Sequence, residues 1–120
     1  NDNLYANLAL AFLYYKGDGV EKNIDKSFEL LEESSHKDPN AAYQLARFYL
    51  QGINTKIDYE KGVQLVEFAA QKGVITAQKM LVNINKQGLF TQAKDQKKVD
   101  YWEAKLKENK EDLTFKIYKI

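Results

Sequence analysis

At 120 residues, 44% apolar and 29% charged, the chain has the size and composition of one folded unit, and its single proline argues against a disordered linker. The formal net charge of +1 divides into −3 over residues 1–78, with 8 basic and 11 acidic side chains, and +4 over residues 79–120, with 10 and 6. Neither half has the concentrated basic stripe of a nucleic-acid binder, and the lack of cysteine excludes disulfides, thiolate metal sites and thiol nucleophiles.

The chain opens Asn1-Asp2-Asn3, which is neither a signal peptide nor an initiator methionine, so a trimmed chain is expected. No run approaches the ~20 apolar residues that would span a bilayer, and membrane insertion is not expected. The first predicted helix carries Ala6, Leu10, Ala11 and Tyr14 and stops at Gly17, inside "GDGV". A left-handed glycine ends a helix at low cost. After a polar linker, Asn23 and Lys26 precede a second helix with Phe28, Leu30 and Leu31. Asp38-Pro39 reads as a cap followed by proline in the first turn of a third helix, which carries Ala41, Leu45, Ala46 and Tyr49 and stops at Gly52.

Asp58, in "DYEK", starts a fourth helix with Leu65, Phe68, Ala69 and Ala70. A fifth, with Ala77, Leu81, Val82 and Asn85, stops at Gly88; Asp95 and Lys98 then introduce a sixth with Val99, Trp102 and Leu106. The spacings of three and four make apolar stripes. At the end, Leu113, Phe115 and Ile117 alternate with polar or amphipathic neighbours, the pattern of an extended segment or of a tail that covers the last helix pair.

These elements repeat. Ala6, Leu10, Ala11, Tyr14 and Gly17 become Ala41, Leu45, Ala46, Tyr49 and Gly52 after a shift of 35; a further shift of 36 gives Ala77, Leu81, Val82, Asn85 and Gly88. Each copy is expected to be two antiparallel helices whose apolar stripes are buried only by stacking on the next copy. The small residues, Ala6 and Ala11 among them, predict close helix contacts. The expected architecture is all-α: an α/α solenoid of three helix pairs over about 6–40, 41–76 and 77–112, the third degenerate and capping, with 113–120 as a capping tail.

The pattern resembles the Sel-one-like repeat (SLR), a relative of the tetratricopeptide repeat. It is carried by Ala6, Leu10-Ala11, Tyr14, Gly17 to Val20 and Lys26-Ser27 in copy one, and by Ala41, Leu45-Ala46, Tyr49, Gly52, Asp58, Lys61 and Ala69 to Gly73 in copy two. Departures are Asn23 for the acid, Ser34-Ser35 for the alanine pair and Asn54 for the second glycine; copy three has Asn85 for the tyrosine and an extra residue before Lys98. The resemblance implies a right-handed superhelix and a non-catalytic scaffold or adaptor that binds proteins. Such arrays are common in bacterial signalling, secretion and host interaction and in eukaryotic quality control. The compartment stays open, with a periplasmic or secreted setting favoured by resemblance alone.

On the leading helix of each copy, the side away from the shared positions carries Tyr5, Leu8, Phe12 and Tyr15, then Tyr43, Arg47 and Leu50, then Lys79, Asn83 and Lys86. By resemblance to tetratricopeptide arrays this is the concave face. It grades from aromatic to basic and suits a peptide or protein partner with an apolar and an acidic part. A competing reading is that the all-round apolar first helix packs on neighbouring repeats, making the chain a structural segment of a longer array.

An enzyme reading finds little. His36 stands alone in "SSHKD", Glu32 and Glu33 point about 100° apart on a helix, and the recurrence of Tyr14 and Tyr49 at the repeat period suits packing. "GDG" lacks the strand and the Lys-Ser/Thr of a phosphate loop. A carboxylate-based hydrolase or metal enzyme is the alternative; no cofactor, metal or small-molecule substrate is expected.

Overall fold

The computed structural model describes residues 4–119, with side chains over 6–108. Six helices follow in order: α1 (Leu4–Lys16), α2 (Ile24–Ser34), α3 (Pro39–Gln51), α4 (Tyr59–Gln71), α5 (Ile75–Gln87) and α6 (Gln96–Lys119). There is no strand among the described residues. Each helix packs chiefly on its neighbours in sequence, so three hairpins stack side by side.

One local device is repeated at each hairpin. The leading helix ends on a left-handed glycine, Gly17, Gly52 or Gly88, with φ of +73°, +71° and +72°. The chain then returns so that the backbone N–H of Asn23, Asp58 or Asp95 donates to the carbonyl of Tyr14, Tyr49 or Asn85, each at 2.9 Å. The same Asn or Asp caps the second helix: its Oδ1 accepts from the N–H of Lys26 (3.0 Å), Lys61 (3.0 Å) or Lys98 (3.2 Å). Asparagine therefore replaces the acid at Asn23 without loss of the bond. In copy two the Lys61 ammonium also lies 4.9 Å above the Tyr49 ring. Asn54, standing where copy one has Gly19, adopts φ +59°, which asparagine tolerates better than most residues.

Between hairpins, Asp38 caps α3 ahead of Pro39, its Oδ1 accepting from the Asn40 N–H at 2.9 Å. The carboxylate is buried, so little solvent stands ready to replace it. Asp38→Ala is expected to cost about 1 kcal/mol and Asp38→Asn a few tenths, measured by thermal unfolding; equal losses would refute a capping role.

The core forms two abutting clusters. The first joins α1, α2 and α3 through Ala11, Leu31, Ala41, Leu45, Phe48 and Tyr49, with Phe28 5.8 Å from the Phe48 ring and 5.9 Å from Tyr49. The second joins α3 to α6 through Ala46, Leu50, Val63, Val66, Ala69, Ala70, Ala77, Leu81, Ile84, Val99 and Trp102. The alanines expected at helix contacts are buried, with the exception of Ala6, which is exposed. Phe68, expected in the apolar stripe of α4, is 36% exposed and lines an open surface groove together with Tyr101 and Trp102 of α6.

Two buried polar side chains are satisfied by hydrogen bonding. Asn85, in place of the tyrosine, is buried and donates through Nδ2 to the Leu81 carbonyl at 2.8 Å. Buried Ser27 donates through Oγ to the Ala11 carbonyl at 2.8 Å, tying α2 to α1. The C-terminal alternation does not make an extended segment: Leu113, Phe115 and Ile117 lie in α6, which continues in helical hydrogen bonding to Lys119. Whether those side chains cover the last helix pair lies outside the described residues.

Candidate functional site

Between α1 and α3 lies a groove of ≈ 480 Å³ whose floor is α2. One wall is Phe12, Tyr15 and Lys16 of α1; the other is Gln44, Arg47 and Phe48 of α3; Ala11, Ser27 and Leu31 form the floor and Ile53 closes one end. Phe12 is 39% and Tyr15 38% exposed, while Phe48 is almost fully buried, its ring 5.8 Å from that of Tyr15. The charged groups on the walls are Lys16 and Arg47, with no carboxylate among the lining residues. Arg47 Nη1 donates to Gln44 Oε1 at 3.2 Å, which steadies the guanidinium on the rim. The groove can thus take apolar groups between aromatic rings and a negative charge at its edge.

The groove exists because of a difference between the first two hairpins. Tyr15 and Ser27 of copy one correspond to Leu50 and Gly62 of copy two. Glycine at 62 leaves room for Leu50: a Cβ built there would lie 2.5 Å from Leu50 Cδ2 and 3.4 Å from the Ala46 carbonyl oxygen. Leu50 drops into that space and is 6% exposed. In copy one the serine supplies a Cβ, its hydroxyl occupies the Ala11 carbonyl, and Tyr15 is held outside.

Of the residues expected on the partner-binding face, the structure brings Phe12, Tyr15 and Arg47 together in this groove. Leu50 is a correction, since the space over Gly62 makes it core. Leu8 and Tyr43 are half-buried, packed against the first and the second cluster respectively. Lys79, Asn83 and Lys86 are exposed on α5 but do not line the groove, and the side chain of Tyr5 lies outside the described residues. Gln44, Lys16 and Phe48 were missed; the shift of 35, which makes Phe48 the counterpart of Leu13, assigned Phe48 no outward role.

A second, more open groove of ≈ 570 Å³ runs between α4 and α6, lined by Gln64, Phe68, Gln71, Tyr101 and Trp102 with Glu67 and Lys98. Nothing in the periodicity marked it. No three His, Cys, Asp or Glu residues cluster for a metal among the described residues, His36 is exposed, and no described helix is long and apolar enough to cross a membrane.

Stacked helical hairpins with capped second helices define an all-α repeat solenoid. The Sel1 repeat family model matches residues 4–38 and 39–74, more than half of the chain, and the chain belongs to that family. Among solved structures, a Sel1 repeat protein from Oxalobacter formigenes superimposes with a TM-score of 0.83 at 23% identity, over 89% of this chain and 44% of that one. A protective antigen present in uropathogenic Escherichia coli strains and displaying an SLR fold gives 0.77 at 24% identity, over 88% of this chain and 23% of that one. The chain therefore spans less than half the length of either. No curated protein sequence matches it. The family is generally a protein–protein interaction module on a scaffold that is typically non-catalytic.

Proposed function

We propose that the protein is a non-catalytic adaptor whose α1–α3 groove holds a segment of a protein partner, with an apolar side chain between the rings and an acidic residue at the rim. One observation carries this reading: Phe12 and Tyr15 stand exposed over Phe48 in a groove whose charged residues are Lys16 and Arg47. Exposed aromatics in a preformed cleft are the usual anchors of peptide recognition, and arginine beside them reads a carboxylate. The concave-face assignment is narrowed accordingly, to the α1–α3 end of the leading helices.

A peptide library displaying aromatic and acidic residues supplies the probe. A selected peptide is expected to bind the Phe12→Ser/Tyr15→Ser protein at least about tenfold more weakly, a change of ~1.4 kcal/mol, with thermal stability little altered. Arg47→Ala is expected to reduce the salt dependence of binding. Loss of stability without a specific loss of binding would remove these residues from the reading.

A further inference from the structure

The open groove between α4 and α6 lies on the second helices of their hairpins and shares no residue with the α1–α3 groove. It exposes two large aromatic side chains, Phe68 at 36% and Tyr101 at 45%. Each has a lysine one helical turn further on: the Lys72 ammonium is 5.8 Å from the centre of the Phe68 ring, and that of Lys105 is 5.6 Å from the centre of the Tyr101 ring. Exposed rings about a concave surface mark a contact site.

Charge decides what covers it. On α4, Glu67 lines the groove, and Glu60, seven residues earlier, lies on the same side of the helix. On α6, Lys98 lines the groove and Lys105 follows at the same spacing. Lys61 of α4 is directed elsewhere, to the Tyr49 ring of α3. One wall is therefore acidic and the other basic, and among the described residues no ion pair joins them. A wholly acidic or wholly basic partner would meet one repelling wall. A second copy meets none if its walls are exchanged.

A shift of 37 relates α4 to α6 and sets Glu60, Gln64, Phe68 and Gln71 level with Lys97, Tyr101, Lys105 and Glu108. A two-fold axis along the groove lays α4 of one copy over α6 of the other at those levels. Glu60 then faces Lys97 with Lys98 beside it, Glu67 comes beside Lys105, and the Phe68 ring meets the Lys105 ammonium. An axis across the groove would instead set glutamates on glutamates and lysines on lysines.

We propose that the α4–α6 groove is the contact of a two-fold dimer of this chain, with the symmetry axis along the groove, Phe68 and Tyr101 at its centre and Glu67 set against Lys105 of the other copy. Two helices about 20 Å long and together about 20 Å across offer roughly half of the ~800 Å² per partner of a standard interface. The dimer is accordingly a weak one, dissociating at ~10–1,000 µM.

Sedimentation equilibrium of the chain across that range is the test. The chain is expected to dimerise, and Glu67→Lys and Lys105→Glu, both at half-buried surface positions, are each expected to weaken the dimer at least about tenfold. An equimolar mixture of the two variants is expected to associate as tightly as the original, because the exchanged charges then oppose each other across the axis. Such restoration separates a lost contact from a lost fold. Four results would overturn the proposal: a chain that stays monomeric, a dimer that either variant leaves intact, a mixture that associates no more tightly than its components, or a dimer abolished by Phe12→Ser/Tyr15→Ser, since the contact would then be the α1–α3 groove.

Discussion

Trp102→Ala is expected to destabilise the protein by about 3 to 5 kcal/mol, the range for removing a large buried aromatic side chain. The indole is 5% exposed and stands in the cluster that joins α3 to α6. Its Tyr101 neighbour, edge-on at 4.8 Å, is 45% exposed and contributes far less burial. In copy two the equivalent of Trp102 is Leu65, so the indole fills a helix-contact position with a larger group in the third hairpin. Repeat stacks unfold as coupled units, and loss of this contact should release α6 and expose the α5 face before the first two hairpins melt. Urea unfolding followed by far-UV circular dichroism is the measurement, because Trp102 is the only tryptophan and cannot report on its own removal. A loss below ~1 kcal/mol, far short of the cavity range, would show that α6 is held elsewhere.

Most of this arrangement was legible from the repeat alone, for reasons visible at single residues. Helix ends were readable because each is fixed by local chemistry: Gly17, Gly52 and Gly88 by their backbone conformation, Asp38 and Asp58 by their capping oxygens. The recurrent Tyr14 and Tyr49 were read as packing, and the backbone carbonyl there, as at Asn85 in copy three, proves to receive the N–H of the next cap as well. What stayed hidden depended on residues far apart in sequence. The groove between α1 and α3 requires Phe12, Ser27 and Arg47 at once, and helical phase on a single helix relates none of these to the others. The period of two at Leu113, Phe115 and Ile117 misled because helix α6, already begun at Gln96, propagates through residues whose alternation alone would suit a strand.

Leu50 was placed on the wrong side of the surface for the same reason, and Gly62 supplies the second strong prediction. Helical phase alone puts Leu50 beside Arg47 and Tyr43, but the missing Cβ twelve positions later decides its burial. In a simple helix-propensity view, replacing Gly62 within α4 should stabilise the protein by a few tenths of a kcal/mol or more. Packing opposes this. A Cβ at 62 would lie 2.5 Å from Leu50 Cδ2 and 2.7 Å from Cγ, with the Ala46 carbonyl oxygen at 3.4 Å behind them. Gly62→Val is therefore expected to destabilise by about 1 to 3 kcal/mol through overpacking that exceeds the propensity gain. The cause is separable by a double-mutant cycle: combined with Leu50→Ala, the valine should cost ~0.5–3 kcal/mol less than in the presence of leucine, a coupling typical of residues in direct contact. Urea unfolding of the four proteins decides it. A neutral or stabilising Gly62→Val, or strict additivity with Leu50→Ala, would mean that the glycine does not make the space that Leu50 fills.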